Sequence, residues 1–163
     1  MNIEFRKARV EDLDYIEEIF NVARQNMILA NNPNQWDDSY PNREIAILDI
    51  ENGVGWVATL EDIPVAYFAL ISGVDPTYIH IDGAWLNDEP YSVIHRIAVS
   101  KPKLGVGAKC IDFAFTTTNN LKIDTHKDNL PMQKLLKNKG FTYCGVIYLD
   151  NKEERLAYQT KRS

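Results

Sequence analysis

The sequence predicts a single α/β domain built on one mixed sheet with helices on both faces. Apolar residues switch repeatedly between a period of two, the mark of strands, and a period near 3.6, the mark of helices. The resulting order, β-α-α-β-β-β-α-β-α-β-β, mixes the two without strict alternation, which favours a mixed over a parallel sheet. A length of 163 residues with 45% hydrophobic and 25% charged side chains suits one domain with a real core. No repeat, low-complexity run or linker divides residues 1–163, so they are read as one unit.

Ile3 to Ala8 ("IEFRKA") alternates apolar and polar side chains and reads as the first strand. From Val10 the period changes: Leu13, Ile16, Phe20 and Ala23 form one stripe, and Glu11, Asp12 and Asp14 favour a helix start. That helix runs to about Met27 or Leu29. Asn31 to Asn42 ("NNPNQWDDSYPN") is dense in turn formers and reads as a loop, although it carries Trp36 and Tyr40. Arg43 to Glu51 is a weaker helix, closed by Asn52 and Gly53.

"GWVATL" and "IPVAYFALI" form a hairpin across "EDIP". Tyr78 to Pro90 is irregular and holds Trp85. A strand follows from Tyr91 to Val99, then a helix from Gly105 to about Thr117. "LKIDTH" is a strand, and "NLPMQKLLKNKG" a short helix capped by Asn129 or Asp128 and stopped by Gly140. Two strands, "FTYCGVIYL" and "ERLAYQT", close the chain around a turn at "DNKE".

Composition excludes several function classes. The 18 basic residues against 23 acidic ones give a net charge of -5, and no long basic patch appears, which argues against a nucleic-acid partner. The longest apolar run, Val65 to Ile71, is too short to cross a bilayer, and the charged N-terminus lacks an apolar signal core. The two cysteines, Cys110 and Cys144, have neither metal-ligand nor disulfide spacing. A cytoplasmic protein with reduced thiols is expected, without a membrane partner.

The stretch "HRIAVSKPKLGVGAK" hands an apolar strand over to a helix through Gly105 and Gly107. It is neither a dinucleotide fingerprint, because Cys110 stands where a third small residue is needed, nor a P-loop, because no Gly-Lys-Ser/Thr follows. It fits a pyrophosphate cradle at a helix N-terminus, where unpaired N–H groups and the helix dipole favour an anion. Lys101, Lys103 and Lys109 add positive charge to the rim.

These residues resemble the coenzyme-A signature of the GNAT N-acetyltransferases. "IDTHKDNLPMQKLLKNKGF" is similar to that family's strand-Asn-helix-Gly-Phe block, and "FRKARVEDLDYIEEIF" to its first strand and helix, so the resemblance spans the chain. It implies a three-layer fold whose central, mostly antiparallel sheet has splayed middle strands, and acetyl-CoA as the acyl donor. By the same resemblance Ile97, Ala98 and Val99 pair with the pantetheine arm. Lys103, Leu104, Gly105, Val106, Gly107, Ala108 and Lys109 cradle the pyrophosphate, and Asn129 and Met132 complete the cofactor site. A backbone N–H near Val99 would stabilise the thioester oxygen. Two positions depart from the family pattern: Pro102 replaces the loop's Gln/Arg, and Leu136 stands where many relatives carry a proton-donating Tyr.

The implied reaction is direct acetyl transfer in a ternary complex to a primary amine of a small molecule. A non-catalytic acyl-CoA sensor and a protein or peptide acetyltransferase are the alternatives, and the resemblance admits a homodimer. His95 is the candidate base, because imidazole titrates near neutral pH, and its rival reading is a hydrogen-bonded core residue. His126 is a second option for moving the proton. Tyr143, Cys144 and Tyr148 are the titratable groups near the missing acid, and none is singled out. Asp124, His126 and Asp128 mimic a metal site, but helix capping explains Asp128 and Asn129, so no metal is expected. Trp36, Tyr40 and Trp85, aromatic groups beside carboxylates in polar loops, are the candidate residues for a cationic acceptor.

Overall fold

The computed structural model describes residues 2–163, apart from the side chain of Lys103. Eight strands form one sheet: β1 (Ile3–Lys7), β2 (Gly55–Leu60), β3 (Ile63–Ser72), β4 (Asp82–Gly83), β5 (Ser92–Val99), β6 (Asn120–Thr125), β7 (Thr142–Tyr148) and β8 (Glu154–Lys161). Their spatial order is β1-β2-β3-β5-β6-β8-β7-β4, and every neighbouring pair except β5–β6 is antiparallel. The α-helices among the described residues are α1 (Leu13–Leu29), α2 (Arg43–Glu51), α3 (Val106–Ala114) and α4 (Leu130–Asn138).

The helices cover both faces. Ile16, Ile19, Phe20 and Ala23, spaced three or four apart, bury one face of α1 against Val57, Tyr67 and Ala98, with Ala46 of α2 in the same cluster. Val106, Cys110 and Ile111 of α3 and Leu136 of α4 pack on the other face against Phe68, Ile94 and Ile123. Side-chain hydrogen bonds set the entry to α1, α2 and α4. Asp12 accepts from Arg6 at 2.7 and 2.8 Å and from the Arg9 N–H at 2.8 Å, Asn42 caps α2 and Asn129 caps α4. The β2–β3 hairpin turns on Glu61 and Asp62, both at positive φ (52° and 66°), which matches the twist of the flanking strands.

One strand lies in the segment read as irregular. β4 is two residues long, too short for any period to mark it, and pairs with β7 through Gly83 and Gly145. A Cβ at Gly83 would stand 2.1 Å from the Cys144 carbonyl oxygen, and one at Gly145 2.2 Å from that of Asp82, so only glycine lets the two backbones meet. Among the described residues no helix is long and apolar enough to cross a membrane.

Candidate active site

The site begins with a bulge in β5. His95 lies opposite Ala69 and Ala98 opposite Tyr67, so Arg96 and Ile97 together face the single residue Phe68 of β3. Arg96 takes a left-handed backbone, φ 48°. A bulge bends its strand and increases the local twist. Here β5 and β6 pair only at Ser92–Leu121 and Val93–Lys122 and then diverge, leaving their facing backbone edges open. Ser100 donates its N–H to Val65 on the β3 side, at 3.0 Å, and strand alternation turns the Val99 N–H the other way, into the cleft.

A buried ion pair holds the bulge. The Arg96 guanidinium meets Asp49 of α2 at 2.8 and 2.7 Å and the Tyr40 hydroxyl at 3.2 Å, while the Tyr67 hydroxyl donates to the same carboxylate. Burial alone would lower the pKa of Arg96, but the bonds to Asp49 outweigh it and hold the group charged. Burial and Asp49 together push the Tyr67 phenol up. Saturated in this way, Arg96 is a structural cation rather than a ligand for a substrate anion.

Between the divergent strand ends lies a cavity of roughly 820 Å³, with His95, Asp75, Asp124, Trp36, Asn129 and Arg155 among its walls. His95 Nε2 lies 2.8 Å from Asp75 Oδ2. The other oxygen of Asp75 accepts from the Thr77 N–H at 2.9 Å and its hydroxyl at 2.7 Å, and the Asp75 N–H donates to the Tyr91 hydroxyl. Burial would raise the Asp75 carboxyl, but the bonds from His95 and Thr77 prevail and hold it at about 2. Asp124 behaves oppositely: half-buried in the cavity wall, it is raised above the usual carboxylate range by desolvation, which outweighs the Tyr78 hydroxyl that donates to it at 2.6 Å.

A second feature lies at the α3 end. Gly105, the residue before the helix, has φ 69°, a conformation that favours glycine, and a Cβ there would meet nothing within 4 Å. Among the described residues no side chain caps the helix. Gly107 works differently from the sequence expectation: its Cβ would lie 3.5 Å from Leu135 and 3.9 Å from Val99, so it faces the contact of β5 with α4. Leu104 is half-buried, Val106 is in the core, Lys101 and Lys109 are exposed, and the Lys103 side chain lies outside the described residues. Helix α4 joins the two ends, touching Gly107 through Leu135 and the cavity through Met132 and Asn129. An extended, anion-bearing molecule fits this track: open strand edges, an uncapped helix N-terminus, and space where Gly105 has no side chain.

The structure brings His95, Ile97, Asn129, Met132, Trp36 and Tyr40 together in the cavity wall. Trp36 is nevertheless 8% exposed, packed edge-on against Phe20 and Tyr40, where the sequence placed it in an open polar loop. Trp85 is corrected outright. It lies away from the cavity, donates to the Tyr78 carbonyl and holds the buried Lys122 ammonium 4.0 Å above its ring. Asn129 spends its oxygen on the α4 cap and its amide on Gln35.

Leu136, at the position of the missing acid, is fully buried in the core, and Tyr143, Cys144 and Tyr148 do not line the cavity. His126 Nδ1 accepts the Asp128 N–H at 3.0 Å, which occupies its lone pair on that side. Asp75 and Arg155 were not read from the sequence at all, and Asp124 was weighed there only as part of a metal-like pattern. A charged residue within an apolar strand, as Arg96 is in "VIHRIAV", was the available signal for the ion pair with Asp49.

The fold has close likenesses among solved structures. A GNAT-family acetyltransferase from Streptococcus agalactiae is 32% identical, with 99% of this chain and 96% of that one covered and a TM-score of 0.89. A GNAT-family acetyltransferase from Listeria monocytogenes is 17% identical over 98% of this chain and 95% of that one, with a TM-score of 0.72. The NatC complex bound to Gag peptide and CoA gives 13% identity, 100% coverage of both chains and a TM-score of 0.63. No family model matches the sequence, and no curated protein does.

Proposed function

The chain belongs to the GNAT family of acetyltransferases, and from that premise we propose that it transfers the acetyl group of acetyl-CoA directly to a primary amine of a small molecule. Its acyl donor is acetyl-CoA. The observation that carries the reading is the divergence of β5 from β6, which runs from an uncapped helix N-terminus to a carboxylate-walled cavity.

The chain's own groups divide the work. The backbone from Gly105 to Ala108 would hold the pyrophosphate, and the open edge of Ile97, Ala98 and Val99 would hold the pantetheine arm. When bound, acetyl-CoA supplies an activated acetyl thioester at the cavity end of the cleft. The Val99 N–H, turned into the cleft, offers a dipole to the thioester oxygen. His95 takes the ammonium proton, and Trp36, Tyr40 and the carboxylates of Asp150 and Glu153 attract the cationic acceptor. No side chain is assigned to protonate the leaving sulfur, since an ordinary thiol pKa near ~8.5 allows water to do so. Transfer without a covalent enzyme intermediate agrees with the cysteines. Both are buried, and burial pushes the Cys110 thiol up to about 12 and raises that of Cys144, so neither is an activated nucleophile.

A panel of small amines assayed for thiol release from acetyl-CoA tests the proposal. Release that depends on the amine is expected. Binding of acetyl-CoA without release by any amine would make the protein a sensor, and release only with peptides would make it a peptide acetyltransferase.

A further inference from the structure

His95 has two ring nitrogens, and only one can be a base at a time. Nε2 faces Asp75 Oδ2 at 2.8 Å, whereas among the described residues nothing bonds Nδ1, on a side chain that lines the cavity. An ionised carboxylate can only accept, so the hydrogen between the two groups belongs to Nε2. We propose that Asp75 is a positioning residue of the transfer reaction, holding His95 as the Nε2–H tautomer so that the Nδ1 lone pair receives the acceptor's proton. This rests on the reading of His95 as the base.

The carboxylate is itself fixed. Thr77 grips Oδ1 through its N–H and hydroxyl, and Tyr91 anchors the Asp75 backbone, so Oδ2 has one orientation open to it, toward His95. The other charged or titratable groups around the imidazole are Tyr78 on the same connection, Asp124 on β6, Arg155 on β8 and Arg96 beside it on β5. Tyr78 is committed to Asp124, Arg96 to Asp49, and Arg155 to the carbonyls of Gln35 and Glu154. None of them competes for Nε2. The proton that reaches Nδ1 gives an imidazolium whose charge lies against Asp75, and it departs to water when the product leaves, so the pair ends each cycle unchanged.

The same geometry dictates what an amide would do. In Asp75→Asn the two donors of Thr77 claim the amide oxygen, which turns the NH2 toward His95. Nε2 must then accept, the ring proton moves to Nδ1, and the lone pair that faces the amine is lost.

Two-bond proton–nitrogen correlation spectra of the imidazoles read this directly. The protein has 3 histidines, so a His95→Gln spectrum assigns the signal. In the wild-type protein, on the neutral ring, the hydrogen is expected on Nε2. A hydrogen on Nδ1 overturns the proposal, and this measurement needs no variant of Asp75 to fold. In Asp75→Asn the expected result is a hydrogen on Nδ1, a kcat lower by a hundredfold or more, and a KM for acetyl-CoA within twofold. A reversed tautomer with normal kcat, or a low kcat with the tautomer unchanged, overturns the positioning role. His95→Ala separates the two ideas: wild-type turnover there removes the base assignment, whatever the spectra show.

Discussion

Trp36 is the residue where packing and recognition coincide. Its ring is buried against Phe20 and Tyr40, yet it also lines the cavity beside Asp37 and Tyr40. Trp36→Ala therefore has two effects that must be separated. Truncating a buried aromatic costs about 3–5 kcal/mol, and a domain of this size loses about 2–4 °C in Tm for each kcal/mol. Trp36→Phe keeps most of the packing and is the variant to assay. It should raise KM for the amine severalfold and leave KM for acetyl-CoA unchanged; equal changes in both would return Trp36 to a purely structural role. At this scale the glycine loop, His95 and Asn129 could be named as candidates from the sequence because each lies in or beside a local motif. Asp75 and Asp49 were not, since their partners stand 20 and 47 residues away and only folding brings them together.

At the scale of elements, the bulge in β5 is the feature on which the cleft depends. Arg96 adopts a conformation that a branched or long side chain rarely takes, and Asp49 supplies the compensation with two charge-assisted bonds. Removing one partner of a buried pair leaves an uncompensated charge and costs about 3–5 kcal/mol. Asp49→Ala should lose about that much in urea unfolding, with weakened acetyl-CoA binding because the strand edge is no longer held apart. Asp49→Ala with wild-type stability and affinity would show that the bulge is fixed by the backbone alone. The first strand announced itself by alternation and β3 by a continuous apolar run, and the helices by stripe and cap. The Arg96 bulge could not be read in advance, because extra residues in a ladder appear only once the partner strand is known. β4 escaped for the complementary reason, since its two residues carry no period.

Across the whole molecule, the sheet is two halves joined at a weak seam. β1, β2, β3 and β5 form one half and β6, β8, β7 and β4 the other, and only two residue pairs link β5 to β6. The open edges beyond those pairs expose backbone groups that a paired strand would satisfy. Acetyl-CoA bound along them completes part of the missing ladder, so its binding should stabilise the seam more than the flanks. A dissociation constant of about 1 μM, near -8 kcal/mol, would give about 4 kcal/mol of added stability at 1 mM ligand, or roughly 8–16 °C in Tm. Hydrogen exchange locates that gain. The amides of residues 97–99 and 105–108 should slow markedly with acetyl-CoA, while those of β1 and β2 should slow only as far as global stability requires. A rise in Tm with no added protection at either segment would place the ligand elsewhere and remove the cleft as the cofactor site.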